Sequence, residues 1–128
     1  MRILVVEDDD DFARVVDEHL VRLGHDVRHA CNAPQALSQV DSFAPDLVLI
    51  DIRLPIFDGN NIAARVREYS SPCPRLIALT AAVDRVDMTV FDACIAKPTS
   101  VADVSRALGD SFLRSPLLDD TLVIEQTE

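Results

Sequence analysis

The chain has 128 residues, enough for one domain with a real core, and a formal charge of −10. That charge argues against binding nucleic acid, whose phosphate backbone needs clustered Lys and Arg, and no apolar run approaches the roughly 18 residues of a membrane helix. Cys31, Cys73 and Cys94 are odd in number, form no CxxC pair and share no metal-ligand spacing with His19, His25 or His29; together with the lack of a secretory signal this predicts inert thiols in a reducing cytoplasm and no zinc site.

The first predicted strand is Ile3–Val6, ending in five acids, Glu7 to Asp11. A helix follows with Phe12, Val15, Val16, Leu20 and Leu23 on its apolar face and Gly24 to close it. Asp9, Asp10 and Asp11 fall where acids cap free N–H groups and complement the positive end of the helix dipole. Asp26–Ala30 reads as the second strand. Asn32 is the expected N-cap of a second helix carrying Ala33, Leu37 and Val40. The third strand is Leu47–Ile50. The third helix carries Ile62, Val66 and Tyr69, with Asn60 or Asn61 opening it. Leu76–Leu79 and Cys94–Ala96 read as the last two strands, and Val101, Val104, Leu108 and Phe112 mark a final helix capped by Thr99 or Ser100.

Strand–helix alternation predicts an α/β protein: a three-layer α/β/α sandwich around a five-stranded parallel sheet of order 2-1-3-4-5, the flavodoxin-like arrangement. The expected domain spans residues 1–114. Residues 115–128 read as a frayed tail, in which Leu122, Val123 and Ile124 leave a partner contact or a linker stub open.

In such a sheet ligands sit outside the carboxyl ends of the strands. Glu7 and Asp8 follow the first strand, Asp51 the third, Thr80 the fourth and Lys97 the fifth. Carboxylates about 5 Å apart repel by roughly 3 kcal/mol per pair at an effective dielectric of about 20, so a cation is expected among them. All-oxygen donors favour Mg²⁺. Lys97 is the one Lys among twelve basic residues, as expected where a compact point charge is needed and a planar guanidinium will not serve.

ILVVED, LVLIDIRLPIFDG, ALTA and AKP, in this order and at these strand ends, resemble the receiver domain of two-component response regulators over residues 2 to about 113. The resemblance implies a non-enzymatic signalling domain. Asp51 would accept a phosphoryl group from a sensor histidine kinase or a histidine phosphotransfer protein and signal to a downstream protein partner. It further implies that Asp8 and Asp51 ligate Mg²⁺ with Glu7 assisting and the backbone carbonyl of Arg53 as a further ligand. Thr80 and Lys97 would each hold a phosphoryl oxygen, and the Lys97–Pro98 bond would be cis. Asp58-Gly59 and Pro55 read as turn chemistry, and His19 and His29 as surface residues.

Two features depart from the family. Three residues before the lysine, where receivers carry Tyr or Phe, stands Cys94, which has no ring to rotate behind Thr80. The seventeen residues from Thr80 to Lys97 are also fewer than the family usually has, by roughly one helical turn or more, and Val83, Val86, Thr89 and Val90 disfavour a long helix, so the fourth helix is expected to be short, irregular, displaced or missing. These departures motivate an alternative, a receiver-like interaction module whose contacts do not depend on phosphate. A Mg²⁺-dependent phosphohydrolase fits less well: the haloacid dehalogenase-type nucleophile motif has a second Asp where this chain has Arg53.

Overall fold

The computed structural model describes residues 1–52, 59–80 and 85–96. Along them run β1 (Arg2–Val6), α1 (Asp10–Arg22), β2 (Asp26–Ala30), α2 (Ala33–Phe43), β3 (Leu47–Asp51), α3 (Gly59–Tyr69), β4 (Arg75–Thr80) and β5 (Ala93–Ala96). The strands form one parallel sheet of order β2-β1-β3-β4-β5, with β1 at the reversal in strand order between β2 and β3. The α/β class and sheet order are those expected from the sequence.

The sheet is held by strands covered on both faces. Ile3, Leu4, Val5 and Val6 of β1 are fully buried, as are Val48, Leu49 and Ile50 of β3 and Leu76 to Leu79 of β4. Such continuous apolar runs suit a doubly covered parallel sheet, and each large aliphatic side chain so removed from water stabilises the fold by about 1.5–3 kcal/mol. The alternation of β2 sorts the two helical layers. Arg28 faces α2, where its guanidinium stacks 4.6 Å from the Phe43 ring and bonds Gln39, while His29 faces the opposite layer beside Asp17 of α1. α2 and α3 pack side by side.

The helix ends follow local chemistry. Asp9 caps α1, its Oδ1 accepting from the Phe12 N–H at 3.1 Å, and Asp10 and Asp11 sit in the first turn. Asn32 caps α2 through the Gln35 N–H at 2.9 Å. Gly24 follows α1 with φ 94°, a left-handed conformation that glycine adopts at little cost. α2 ends on Ala44, which takes φ 51° with a Cβ.

Three expectations change. Val15 is 37% exposed and Tyr69 75% exposed, so neither belongs to its helix's core face; in α1 and α3 the apolar stripe is narrower than the sequence suggested, and Ala13 and Ala63 fill the close approach to the sheet instead. α3 begins at Gly59, which places both Asn60 and Asn61 inside the first turn rather than at the cap. His19 and His29 are both half-buried, not surface residues.

Between β4 and β5 no α-helix forms among the described residues 85–92. A turn takes its place, in which the Asp87 carbonyl accepts from the Val90 and Phe91 N–H groups and Phe91, 3% exposed, anchors the segment in the core. The expected final helix and the tail of residues 115–128 lie outside the described residues, as do Pro55 and Asp58.

Candidate functional site

The register of the sheet assembles the site. Val6 pairs with Ile50, so the next residues, Glu7 and Asp51, emerge side by side at the carboxyl ends of β1 and β3. Asp51 in turn pairs with Leu79, and Thr80 closes β4 one residue further. Glu7 is 1% exposed, Asp51 5% and Thr80 0%, while Asp8 is open to water. One carboxylate oxygen from each of Glu7, Asp8 and Asp51 lies within 4.8 Å of the other two.

Buried polar groups at a strand end must be held by something. The Glu7 N–H donates to the Ala30 carbonyl at 2.9 Å. Its carboxylate accepts from the Asp9 N–H at 3.3 Å. Its carbonyl lies 2.7 Å from His29 Nε2; since a carbonyl can only accept, that ring nitrogen carries the hydrogen. His29 thus fixes the strand end from the α1 side. Behind it burial pushes the Asp17 carboxyl up to about 6, against the attraction of His29 and with the added repulsion of Glu18.

Three oxygen donors, two of them nearly enclosed, fit a hard divalent cation. A span of up to 4.8 Å between donor atoms suits a cation that keeps some of its own waters. A soft metal is disfavoured, because no thiol or imidazole joins this cluster among the described residues.

Of the residues singled out from the sequence, Glu7, Asp8, Asp51 and Thr80 come to one edge of the sheet. Cys94 is 1% exposed in β5, opposite Ala78 of β4. Arg53 and Lys97 lie outside the described residues; Lys97 follows directly on Ala96, the register partner of Thr80.

Two supporting residues were not recognised in the sequence. His29 had a readable signal, since period-two alternation puts it on the same face as Val27, against α1. Gly59 did not. Read as turn chemistry, it is instead required by space: a Cβ there would lie 2.7 Å from Ile52 Cα, 2.8 Å from the Asp51 carbonyl oxygen and 2.8 Å from Ile50 Cγ2. Its N–H donates to the Ile52 carbonyl at 3.0 Å. The first residue of α3 therefore rests on the backbone that carries Asp51.

Comparison with known proteins agrees with this arrangement. Residues 3–108 match the model of the response regulator receiver domain. The positive alginate biosynthesis regulatory protein of Pseudomonas aeruginosa is 38% identical over 119 residues, covering 84% of this chain and 46% of that protein. The alkaline phosphatase synthesis transcriptional regulatory protein PhoP of Bacillus subtilis is 28% identical over 121 residues, covering 91% and 50% respectively. The chain thus spans about half the length of these curated relatives. Among solved structures, the response regulator TrrA of Thermotoga maritima in complex with Mg²⁺ and BeF superposes with a TM-score of 0.71 at 27% identity, covering 82% of this chain and 93% of that one. A two-component response regulator from Clostridium difficile gives 0.73 at 19% identity, covering 89% and 96%, a likeness of fold. With the family model spanning residues 3–108, the chain belongs to the response regulator receiver family of two-component signalling.

Proposed function

We propose that this receiver accepts a phosphoryl group on Asp51 from a histidine kinase or a histidine phosphotransfer protein and signals through altered protein contacts. The observation that carries the reading is the convergence of Glu7, Asp8 and Asp51 at the carboxyl edge of the sheet, with donor atoms within 4.8 Å. One Asp51 carboxylate oxygen bonds to phosphorus as the phosphorus–nitrogen bond of the donor histidine breaks, leaving an acyl phosphate on the chain and the electron pair on the imidazole. Such a reaction depends on positioning and on neutralising charge over the phosphoryl oxygens. Asp8 and Asp51, with Glu7 assisting and the Arg53 carbonyl added by resemblance, would hold Mg²⁺, which supplies positive charge to those oxygens. Thr80, buried beside Asp51's strand, would donate its hydroxyl hydrogen to a phosphoryl oxygen, and Lys97 would contribute the remaining cation, both by resemblance to the family.

The complex of the Thermotoga relative with Mg²⁺ and BeF supports the cofactor assignment. The described residues contain no helix long and apolar enough to cross a membrane. Incubation with acetyl phosphate and Mg²⁺, followed by intact mass, tests the reading. A single phosphoryl adduct that disappears in Asp51→Asn and on chelation of Mg²⁺ is expected; no adduct on the wild-type chain refutes it.

A second reading has its own support. Cys94 lacks a ring, and the described part of the β4–β5 connection is a turn. A module that binds partners regardless of phosphate would keep that connection unchanged when a phosphoryl mimic binds. The two readings part on that observation.

A further inference from the structure

The described part of the β4–β5 connection, residues 85–92, is not loose on the surface. It is laced to one face of α3 at two places. At the first turn of α3, Asn60 Nδ2 donates to the Arg85 carbonyl at 2.8 Å, and Asn60 Oδ1 accepts from the Asp87 N–H at 2.8 Å. A single side-chain amide so grips two backbone groups two residues apart, fixing both position and orientation. Two helical turns later on the same face, Arg67 Nε donates to the Val90 carbonyl at 2.9 Å, and its Nη2 lies 3.2 Å from Asp92 Oδ2. Asp92 is in turn tied to the start of β4, accepting from the Leu76 N–H at 2.8 Å through its side chain and donating its own N–H to the Leu76 carbonyl at 2.8 Å.

The other neighbour of Asn60 is Gly59, which sits against the backbone of Asp51 and Ile52 too closely to admit a methyl group. Backbone-to-backbone contact of this kind transmits a displacement, because there is no flexible side chain to absorb it and packed interiors compress little. The Arg85–Asp87 end of the connection is thus two consecutive residues, Asn60 and Gly59, away from the strand end that carries the acidic site. The usual partner for such a signal, an aromatic ring moving behind Thr80, has no counterpart at Cys94.

We propose that the first turn of α3 is the coupling element of this receiver: Gly59 senses the Asp51 strand end, and the Asn60 amide passes its displacement to the backbone at Arg85 and Asp87. This rests on Asp51 being the phosphoacceptor and names the route by which its state reaches the surface. Arg67 holds the far end fixed, so the change is confined to the Asn60 end of the connection.

The test is NMR-detected amide exchange in Mg²⁺ alone and in Mg²⁺ plus beryllofluoride, for the wild-type chain, Asn60→Ala and Asn60→Asp. In the wild type, beryllofluoride shifts exchange at residues 85–88. In Asn60→Ala the Asp87 amide loses its acceptor and exchanges about fivefold faster in both conditions, the beryllofluoride-dependent shift disappears, and acetyl phosphate still modifies Asp51. Asn60→Asp keeps the acceptor for Asp87 and suits the helix N-terminus, so it folds and retains a reduced shift. A full beryllofluoride-dependent shift persisting in Asn60→Ala reduces Asn60 to a structural clasp and overturns the proposal. A wild-type chain that forms the Asp51 adduct without any change at 85–92 overturns it too, while leaving the phosphoacceptor reading intact. A wild-type chain that takes neither beryllofluoride nor phosphate removes both.

Discussion

Replacing Asp51 with Asn isolates the electrostatic cost of the acidic site from the rest of the fold. Glu7 and Asp51 are 1% and 5% exposed, and their ligand atoms lie within 4.8 Å. Two unit charges at that separation in an effective dielectric of about 20 repel by roughly 3 kcal/mol. The Asp9 N–H directed at the Glu7 carboxylate, the water open to Asp8 and the Lys97 cation of the proposed site absorb part of this, leaving about 1–2 kcal/mol as the expected penalty. Without a divalent cation, Asp51→Asn should therefore be more stable than wild type by that amount. Mg²⁺ at 100 times its dissociation constant should raise wild-type stability by about 2.7 kcal/mol through mass action, and should do far less for the variant. Urea unfolding followed by circular dichroism, in EDTA and in excess Mg²⁺, measures all four values. If Asp51→Asn is less stable than wild type in EDTA and gains equally from Mg²⁺, the three carboxylates do not form a strained cation site.

Gly59→Ala should destabilise the fold by about 1–3 kcal/mol and weaken Mg²⁺ binding together, because the new methyl meets backbone atoms of Asp51 and Ile52 that cannot yield; an unchanged urea midpoint would contradict the contact. Ala44→Gly should act in the opposite sense, gaining about 0.5–1 kcal/mol at the end of α2 by removing a Cβ from a residue at φ 51°, as read from the same unfolding assay. Asp17 gives a pH signature. Its folded-state pKa, raised to about 6 from an ordinary 3.8, means that the folded chain binds this proton more tightly than the unfolded one. Its contribution to stability is therefore most favourable below pH 4, declines as the pH rises from about 4 to 6, and is flat above that. Asp17→Asn should remove this decline from the stability–pH curve, and a difference curve that is level across the window would show that Asp17 is not desolvated.

The sheet was legible because its signals are local and mutually consistent. Runs such as LVLI and LIAL declare strands buried on both faces, and Asp9 and Asn32 declare the starts of α1 and α2 through caps that operate within three residues. The carboxylates were legible for a related reason: parallel strands end at one edge, so chemistry written at strand ends converges once the strand order is known. What escaped was contact across long separations. Nothing near Asn60 signals that its amide will bond residues 25 and 27 positions later; the same residue serves equally well as a cap, which is how it reads in isolation. Gly59 escaped because a glycine after an aspartate also suits a turn, and only the packing of α3 onto β3 distinguishes missing volume from backbone freedom.

Glu7, Asp51 and Thr80 continue strands whose aliphatic side chains are shut off from water, whereas Arg85 and Met88 are exposed on a segment that α3 holds chiefly through its main chain. Random substitution therefore falls unevenly on the two. Changes that relocate the Asp51 carboxylate also damage the core and are eliminated as misfolded chains, but the outward residues of the turn can be exchanged while the main-chain bonds beneath them persist. Over evolutionary time such a chain can acquire a new recognition surface without reinventing its chemistry.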